Sequence, residues 1–179
     1  MQHIYMVRHG QSEANAHKIV SGANESPLTD LGRQQAREAG QGAHDLGIDL
    51  IVCSPLTRAK ETARIIANQI GYDPAGILVV PMLVERNLGE LEGQSYTQDV
   101  RITGNYPDAE QRTGVEPIEQ FHQRITEALQ EILQVTSHNI LIVCHINVGR
   151  MLRTIADNQE PMRMYEQPRL ENGIIYRLK

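Results

Sequence analysis

Apolar runs divide the chain into a repeating pattern. Residues 4–7, 50–53 and 139–144 form short, almost unbroken apolar stretches, as expected of strands buried on both faces of a parallel sheet. Residues 77–80 are a weaker candidate of the same kind, and residues 173–178 predict an edge strand. Helical spacing fills the intervals. Thr29 suits the N-cap of a helix that runs to about Leu46 and stops at Gly47. Pro55 and Thr57 open a second, with Ala59, Ala63, Ile66 and Ile70 on one face and Gly71 at its end. Ile118, Phe121, Ile125, Leu129 and Ile132 mark a third, with Pro117 in its first turn. A fourth is expected over 148–156. Strands alternating with helices predict an α/β protein, a three-layer α/β/α sandwich with a mainly parallel sheet. No repeat, low-complexity tract or linker interrupts the pattern, so residues 1–179 read as one domain. Residues 93–114 lack clean periodicity and read as a loop or lid with at most a short helix.

Composition narrows the class. The apolar fraction is 40% and the charged fraction 22%, as in ordinary globular proteins, which excludes disordered and collagen-like chains. No apolar run approaches the roughly 20 residues that span a bilayer, so no membrane partner is expected. Residues 1–7 lack a basic leader and a small-residue cleavage site, so they read as a strand and not as a signal peptide. A formal charge of -5 argues against general nucleic-acid binding, although a local arginine cluster can still receive an anion. Cys53 and Cys144 sit inside apolar runs and read as buried free thiols. Without a disulfide framework or zinc spacing, a reducing cytoplasm is the expected location.

Chemistry follows each buried strand. After 4–7 comes Arg8-His9-Gly10, after 50–53 comes Ser54-Pro55-Leu56-Thr57-Arg58, and after 139–144 comes His145-Ile146-Asn147. Open α/β sheets bind ligands beyond the carboxyl ends of their strands, so two histidines and two arginines are predicted to meet in one crevice. A phosphate monoester suits them. Arginine presents a planar fork to phosphate oxygens and keeps its charge. Neutral imidazole is a competent nucleophile. His9 is the expected attacker, with Arg8, Arg58 and His145 holding the equatorial oxygens, and no metal or other cofactor is needed. Gly10 is read as letting the backbone approach the ligand. Glu85 is the carboxyl favoured as general acid and then base, although spacing alone leaves Glu13 and Glu61 in competition. His3, His17, His44, His122 and His138 read as ordinary surface or core residues. A metal held by His9 and His145 is a minor alternative, since a third ligand at suitable spacing is missing.

Several segments together resemble the histidine phosphatase superfamily, also called phosphoglycerate-mutase-like. Arg8-His9-Gly10 follows the first strand. Residues 26–32 (SPLTDLG), 54–63 (SPLTRAKETA) and 85–93 (ERNLGELEG) are similar to family elements, and Val143-Cys144-His145 matches the strand that delivers the second histidine. The resemblance implies that His9 is phosphorylated, that Arg8, Arg58 and His145 form the phosphate pocket, that Glu85 donates the proton, and that Asn15 also touches phosphate. It implies a phosphoglycerate-mutase-like fold and a metal-free hydrolase acting on a small-molecule phosphate monoester or a phosphoprotein. Residues around 21–25, with Ser21 and Gly22 as substrate-binding candidates, and the 93–114 loop are expected to choose the substrate. Glu92 is read as structural.

One departure stands out: the family usually places Gly after the second histidine, whereas here Ile146 precedes Asn147. Either the backbone there is ordinary, or a β-branched wall narrows the pocket. Phosphoglycerate mutases of the family carry a longer insertion with paired arginines. Here Arg101 and Arg112 are well separated, which favours hydrolysis over phosphate transfer. A mutase and a low-activity phosphate-binding regulatory module are the alternative readings. Monomer and homodimer are both compatible with the sequence.

Overall fold

The computed structural model describes residues 2–96, 109–136 and 138–178. Its sheet has five strands: β1 (Ile4–Arg8), β2 (Leu50–Cys53), β3 (Leu78–Val79), β4 (Ile140–Cys144) and β5 (Ile175–Arg177). They lie in the order β3-β2-β4-β1-β5. All neighbours run parallel except β5, which pairs antiparallel with β1. The expected mainly parallel sheet with an added edge strand is therefore present. β3 is shorter than its apolar run because Pro81 lacks the N–H that a longer ladder needs. β5 starts only at Ile175, after Gly173 turns the chain at φ +72°.

Side chains alternate across each strand, and the alternation builds two cores. Ile140, Ile142 and Cys144 point to one face, under helices α4 (Ile118–Val135) and α5 (Ile146–Ala156), with Phe121, Ile125, Ile132 and Met151. Leu141 and Val143 point to the other, under α2 (Asp30–Ala43) and α3 (Thr57–Ile70). That second core is lined by Ala39, Ala43, Ala59, Ala63 and Ala67, small residues that let α2 and α3 approach closely. A Cβ on Gly40 would come 2.5 Å from the Cβ of Gln69, so the closeness depends on glycine there. Cys53 and Cys144 are buried free thiols, as expected.

Helix ends follow the sequence signals. Thr29 Oγ1 accepts from the Gly32 N–H at 3.0 Å, and Gly47 and Gly71 are left-handed caps. The fourth helix begins two residues earlier than its periodicity suggested, because His145 serves as its N-cap. The short α1 (Glu13–Ala16) has no apolar periodicity to announce it. It is held by a capping box between Ser12 and Asn15. Most of the 93–114 segment, including Arg101, lies outside the described residues. Among the described residues no helix is long and apolar enough to cross a membrane.

Candidate active site

The carboxyl ends of β1, β2 and β4 meet at one pocket. Arg8, His9, Asn15, Ser21, Gly22, Arg58, Glu85, Ile146 and Asn147 line it, nine of the eleven residues singled out from sequence. The other two, Gly10 and His145, lie behind the wall and set the geometry of His9.

His9 is only 3% exposed. Its Nδ1 donates to the Gly10 carbonyl oxygen at 2.7 Å, which puts the proton on Nδ1 and leaves Nε2 unprotonated, with its lone pair as an acceptor. The Arg58 Nε–H donates to that Nε2 at 3.3 Å. Burial first, then the Arg58 and Arg8 charges, holds the imidazole well below its usual pKa, so it is neutral and nucleophilic. The His145 ring lies beside it, with centroids 5.1 Å apart and planes tilted 60°. His145 Nε2 meets Ser54 Oγ at 2.7 Å, while its buried Nδ1 has no hydrogen-bond partner among the described residues. Burial, with Arg58 as the next cause, depresses this ring too.

Arg58 is anchored by two carbonyls. Its Nη1 donates to Asn24 O at 2.7 Å and its Nη2 to Gly22 O at 2.8 Å. Gly22 sits at φ +48°, and a Cβ there would overlap the Glu92 carboxylate. Glu92 Oε1 accepts from the Leu88 and Ala23 N–H groups at 2.9 Å each, the structural part expected of it. Arg8 Nη1 donates to Leu170 O at 3.1 Å. Thr62 Oγ1 accepts from the Gly10 N–H at 3.1 Å and donates to Arg58 O at 2.7 Å, tying the first loop to α3.

The reason given for Gly10 needs correction. It does not make room for a ligand. A Cβ on Gly10 would strike the backbone carbonyl of Gly32, so glycine is required where the loop crosses the first turn of α2. The Gly10 carbonyl, not its missing side chain, serves the site.

Glu85 is 5% exposed and faces the pocket. Its Oε1 accepts from the Arg86 N–H at 2.8 Å, and its Oε2 from the Asn147 N–H at 3.1 Å. Burial outweighs these bonds and the Arg58 and Arg8 charges, and raises its pKa. The competing carboxylates are elsewhere: Glu13 is exposed, and Glu61 pairs with Arg33 at 2.7 Å. Asn15 lines the pocket with its Oδ1 turned to the Ser12 N–H at 3.3 Å. Ile146 has an ordinary negative φ as the first residue of α5, so the backbone there needs no glycine, and its side chain forms part of the pocket wall.

Some wall residues escaped sequence reasoning. Ile19, Leu88, Tyr96 and Arg169 complete the lining, and Asn172 Nδ2 donates to His9 O at 2.7 Å. Arg169 and Asn172 lie in the aperiodic stretch before β5, where only Pro161 and Pro168 punctuate the chain. Among the described residues, no group of three or more His, Cys, Asp or Glu side chains is placed to hold a metal ion.

A buried imidazole held below its usual pKa among guanidinium groups, with a carboxyl of raised pKa across the pocket, has the chemistry to receive a phosphoryl group on histidine. The chain belongs to the histidine phosphatase superfamily (branch 1), whose family profile matches residues 4–179. Among its relatives is the protein named "Probable phosphoglycerate mutase GpmB" from Enterobacter sp. (strain 638), 34% identical in an alignment of 174 positions that covers 87% of this chain and 75% of that one. The crystal structure of the alpha-ribazole phosphatase from Shigella flexneri superposes with a TM-score of 0.81 at 25% identity, covering 98% of this chain and 89% of the other. The mycobacterial glucosyl-3-phosphoglycerate phosphatase shares the fold, with a TM-score of 0.81 at 21% identity over 98% of this chain and 88% of its own.

Proposed function

We propose that the protein hydrolyses phosphate monoesters without a metal, through a phosphohistidine on His9. The observation that carries this reading is the tautomer fixed by Gly10: Nδ1 holds the proton, so Nε2 is unprotonated, and its lone pair, which accepts a long 3.3 Å bond from the Arg58 Nε–H, turns to phosphorus when a phosphate oxygen takes up that donor. Nε2 attacks phosphorus and the bond to the ester oxygen breaks. The Glu85 proton passes to that oxygen, and the alcohol leaves. The Glu85 carboxylate then takes a proton from water. The water oxygen attacks phosphorus, the P–N bond breaks, and its electrons return to Nε2. Arg8 and Arg58 meet the charge on the transferred group, and the Nδ1–H bond to Gly10 O supports the charge that develops on the ring. The buried Nδ1 of His145 is a further donor position beside His9.

A mutase is the second reading, favoured by the 34% identity to a relative named as a phosphoglycerate mutase. One experiment separates them. A panel of phosphate monoesters is assayed for released inorganic phosphate, with and without EDTA, and with His9→Ala as control. Hydrolysis predicts phosphate release that EDTA leaves intact and His9→Ala abolishes, with acid-labile label on His9 during turnover. Transfer between carbon positions without release points to the mutase. Label that never accumulates on His9 refutes both.

A further inference from the structure

The phosphate pocket has a third arginine in its wall that the hydrolytic steps do not use. Arg169 lines the same cavity as Arg8, His9 and Arg58. Its place is fixed by its neighbours: Leu170 O receives the Arg8 Nη1–H at 3.1 Å, and Asn172 Nδ2 donates to His9 O at 2.7 Å. Arg153 Nη1 donates to Pro168 O at 3.1 Å on the other side. The backbone carrying Arg169 is therefore pinned to the nucleophile's loop on its C-terminal side and to α5 at Pro168.

Its counter-ion within the protein is loose. Arg169 Nε stands 3.8 Å from a carboxylate oxygen of Glu171, whose side chain is 64% exposed. At that distance, and with an exposed carboxylate, the pair is weak, and an incoming anion displaces it at small cost. Nε itself is buried and makes no hydrogen bond among the described residues. Arg150, buried nearby on α5, has its pKa pushed down to about 10 by burial and then by the Arg169 charge. Arg169 thus brings to this wall a positive charge that Glu171 neutralises only weakly. The other lining residues that sequence reasoning missed, Ile19, Leu88 and Tyr96, carry no carboxylate, and the carboxyl in the lining is that of Glu85.

We propose that Arg169 is a specificity-determining residue that receives a second anionic group, a carboxylate or a second phosphate, on the alcohol part of the substrate. This rests on the phosphate-binding reading of the pocket, since it assumes that the first phosphate lies between Arg8 and Arg58. A guanidinium fork matches either anion in two-point geometry, whereas a neutral alcohol leaves it with Glu171.

Binding of non-hydrolysable ligands tests this independently of turnover. ω-Carboxyalkylphosphonates of two to four carbons, alkylphosphonates of equal length and the matching bisphosphonates are titrated calorimetrically into wild type and Arg169→Gln. At one chain length, wild type binds the carboxyalkylphosphonate or the bisphosphonate at least about tenfold more tightly than the alkylphosphonate, and Arg169→Gln brings that ratio to within about twofold. The tighter of the two series with a second anionic group identifies that group. Equal affinity for ligands with and without the second anionic group in wild type, or a preference that survives Arg169→Gln, overturns the proposal. If the variant does not fold, Arg169→Lys is titrated instead, and an undiminished preference there counts against a two-point contact. Wild type that binds no phosphonate at all refutes the phosphate pocket itself, a distinct outcome.

Discussion

The two buried histidines should make the fold acid-sensitive at an unusually high pH. Each imidazole is neutral in the folded state because burial and the nearby arginines lower its pKa well below 6.5, while in the unfolded chain it titrates near 6.5. The sign follows: below about pH 6.5 the unfolded state binds more protons, so stability is full above that value and falls as pH drops toward the folded pKa. While both rings stay neutral, each removes about 1.4 kcal/mol per pH unit, or about 2.7 kcal/mol together. Glu85 works in the opposite direction, because its raised pKa lets the folded state hold a proton that the unfolded chain has lost. It offsets at most one histidine, so the net loss is between about 1.4 and 2.7 kcal/mol per unit. For a domain of this size that corresponds to roughly 3 to 11 °C in Tm per pH unit. Thermal unfolding at pH 7.5, 6.5 and 5.5 in phosphate-free buffer measures it, with the double variant His9→Gln/His145→Gln and with Glu85→Gln. The double variant should show a flatter slope and Glu85→Gln a steeper one. A wild-type slope equal to that of the double variant would falsify the assignment of two neutral buried rings.

Three further outcomes follow from the same geometry. Glu85→Gln should slow alkyl phosphates by about 10²- to 10⁴-fold and aryl phosphates far less, since only the former need a proton on the leaving oxygen; equal slowing in steady-state assays removes Glu85 from that role. Ser54→Ala should cost about 1 kcal/mol in denaturant unfolding and several-fold in kcat, because His145 loses the 2.7 Å partner that orients it; unchanged kcat would mean that the ring is held by packing alone. Gly32→Ala should destabilise the chain by several kcal/mol and lower activity with it, because the new Cβ overlaps the Gln11 backbone two residues from His9; a Tm within 1 to 2 °C of wild type, on the order of 0.5 kcal/mol, would refute that overlap.

Legibility in the sequence tracked how local the physical signal was. The strands over 50–53 and 140–144 were readable because a strand covered on both faces needs an unbroken apolar run. Gly47 and Gly71 marked helix ends because a left-handed cap favours glycine. The convergence of His9, Arg58 and His145 was legible from topology, since each follows a buried parallel strand. Choosing Glu85 over Glu13 and Glu61 drew on the family-like element around it, as no periodicity ranks three carboxylates. Arg169 and Asn172 were illegible because their positions are set by β5 folding back antiparallel onto β1, a pairing between residues far apart in the chain. Gly10 was rightly singled out for the wrong physical reason, because the atom that excludes a side chain there belongs to Gly32, 22 positions away.

The stretch from Pro168 to Arg177 also bears on when the site comes into being. Arg8 leans on the Leu170 carbonyl, the His9 carbonyl is held by Asn172, and Val7 pairs with Ile175. Synthesis from the amino end therefore leaves the His9 loop without these braces until the stretch from Pro168 to Arg177 has been made and β5 has docked. The backbone around His9 is thus completed by a segment 163 positions later in the chain.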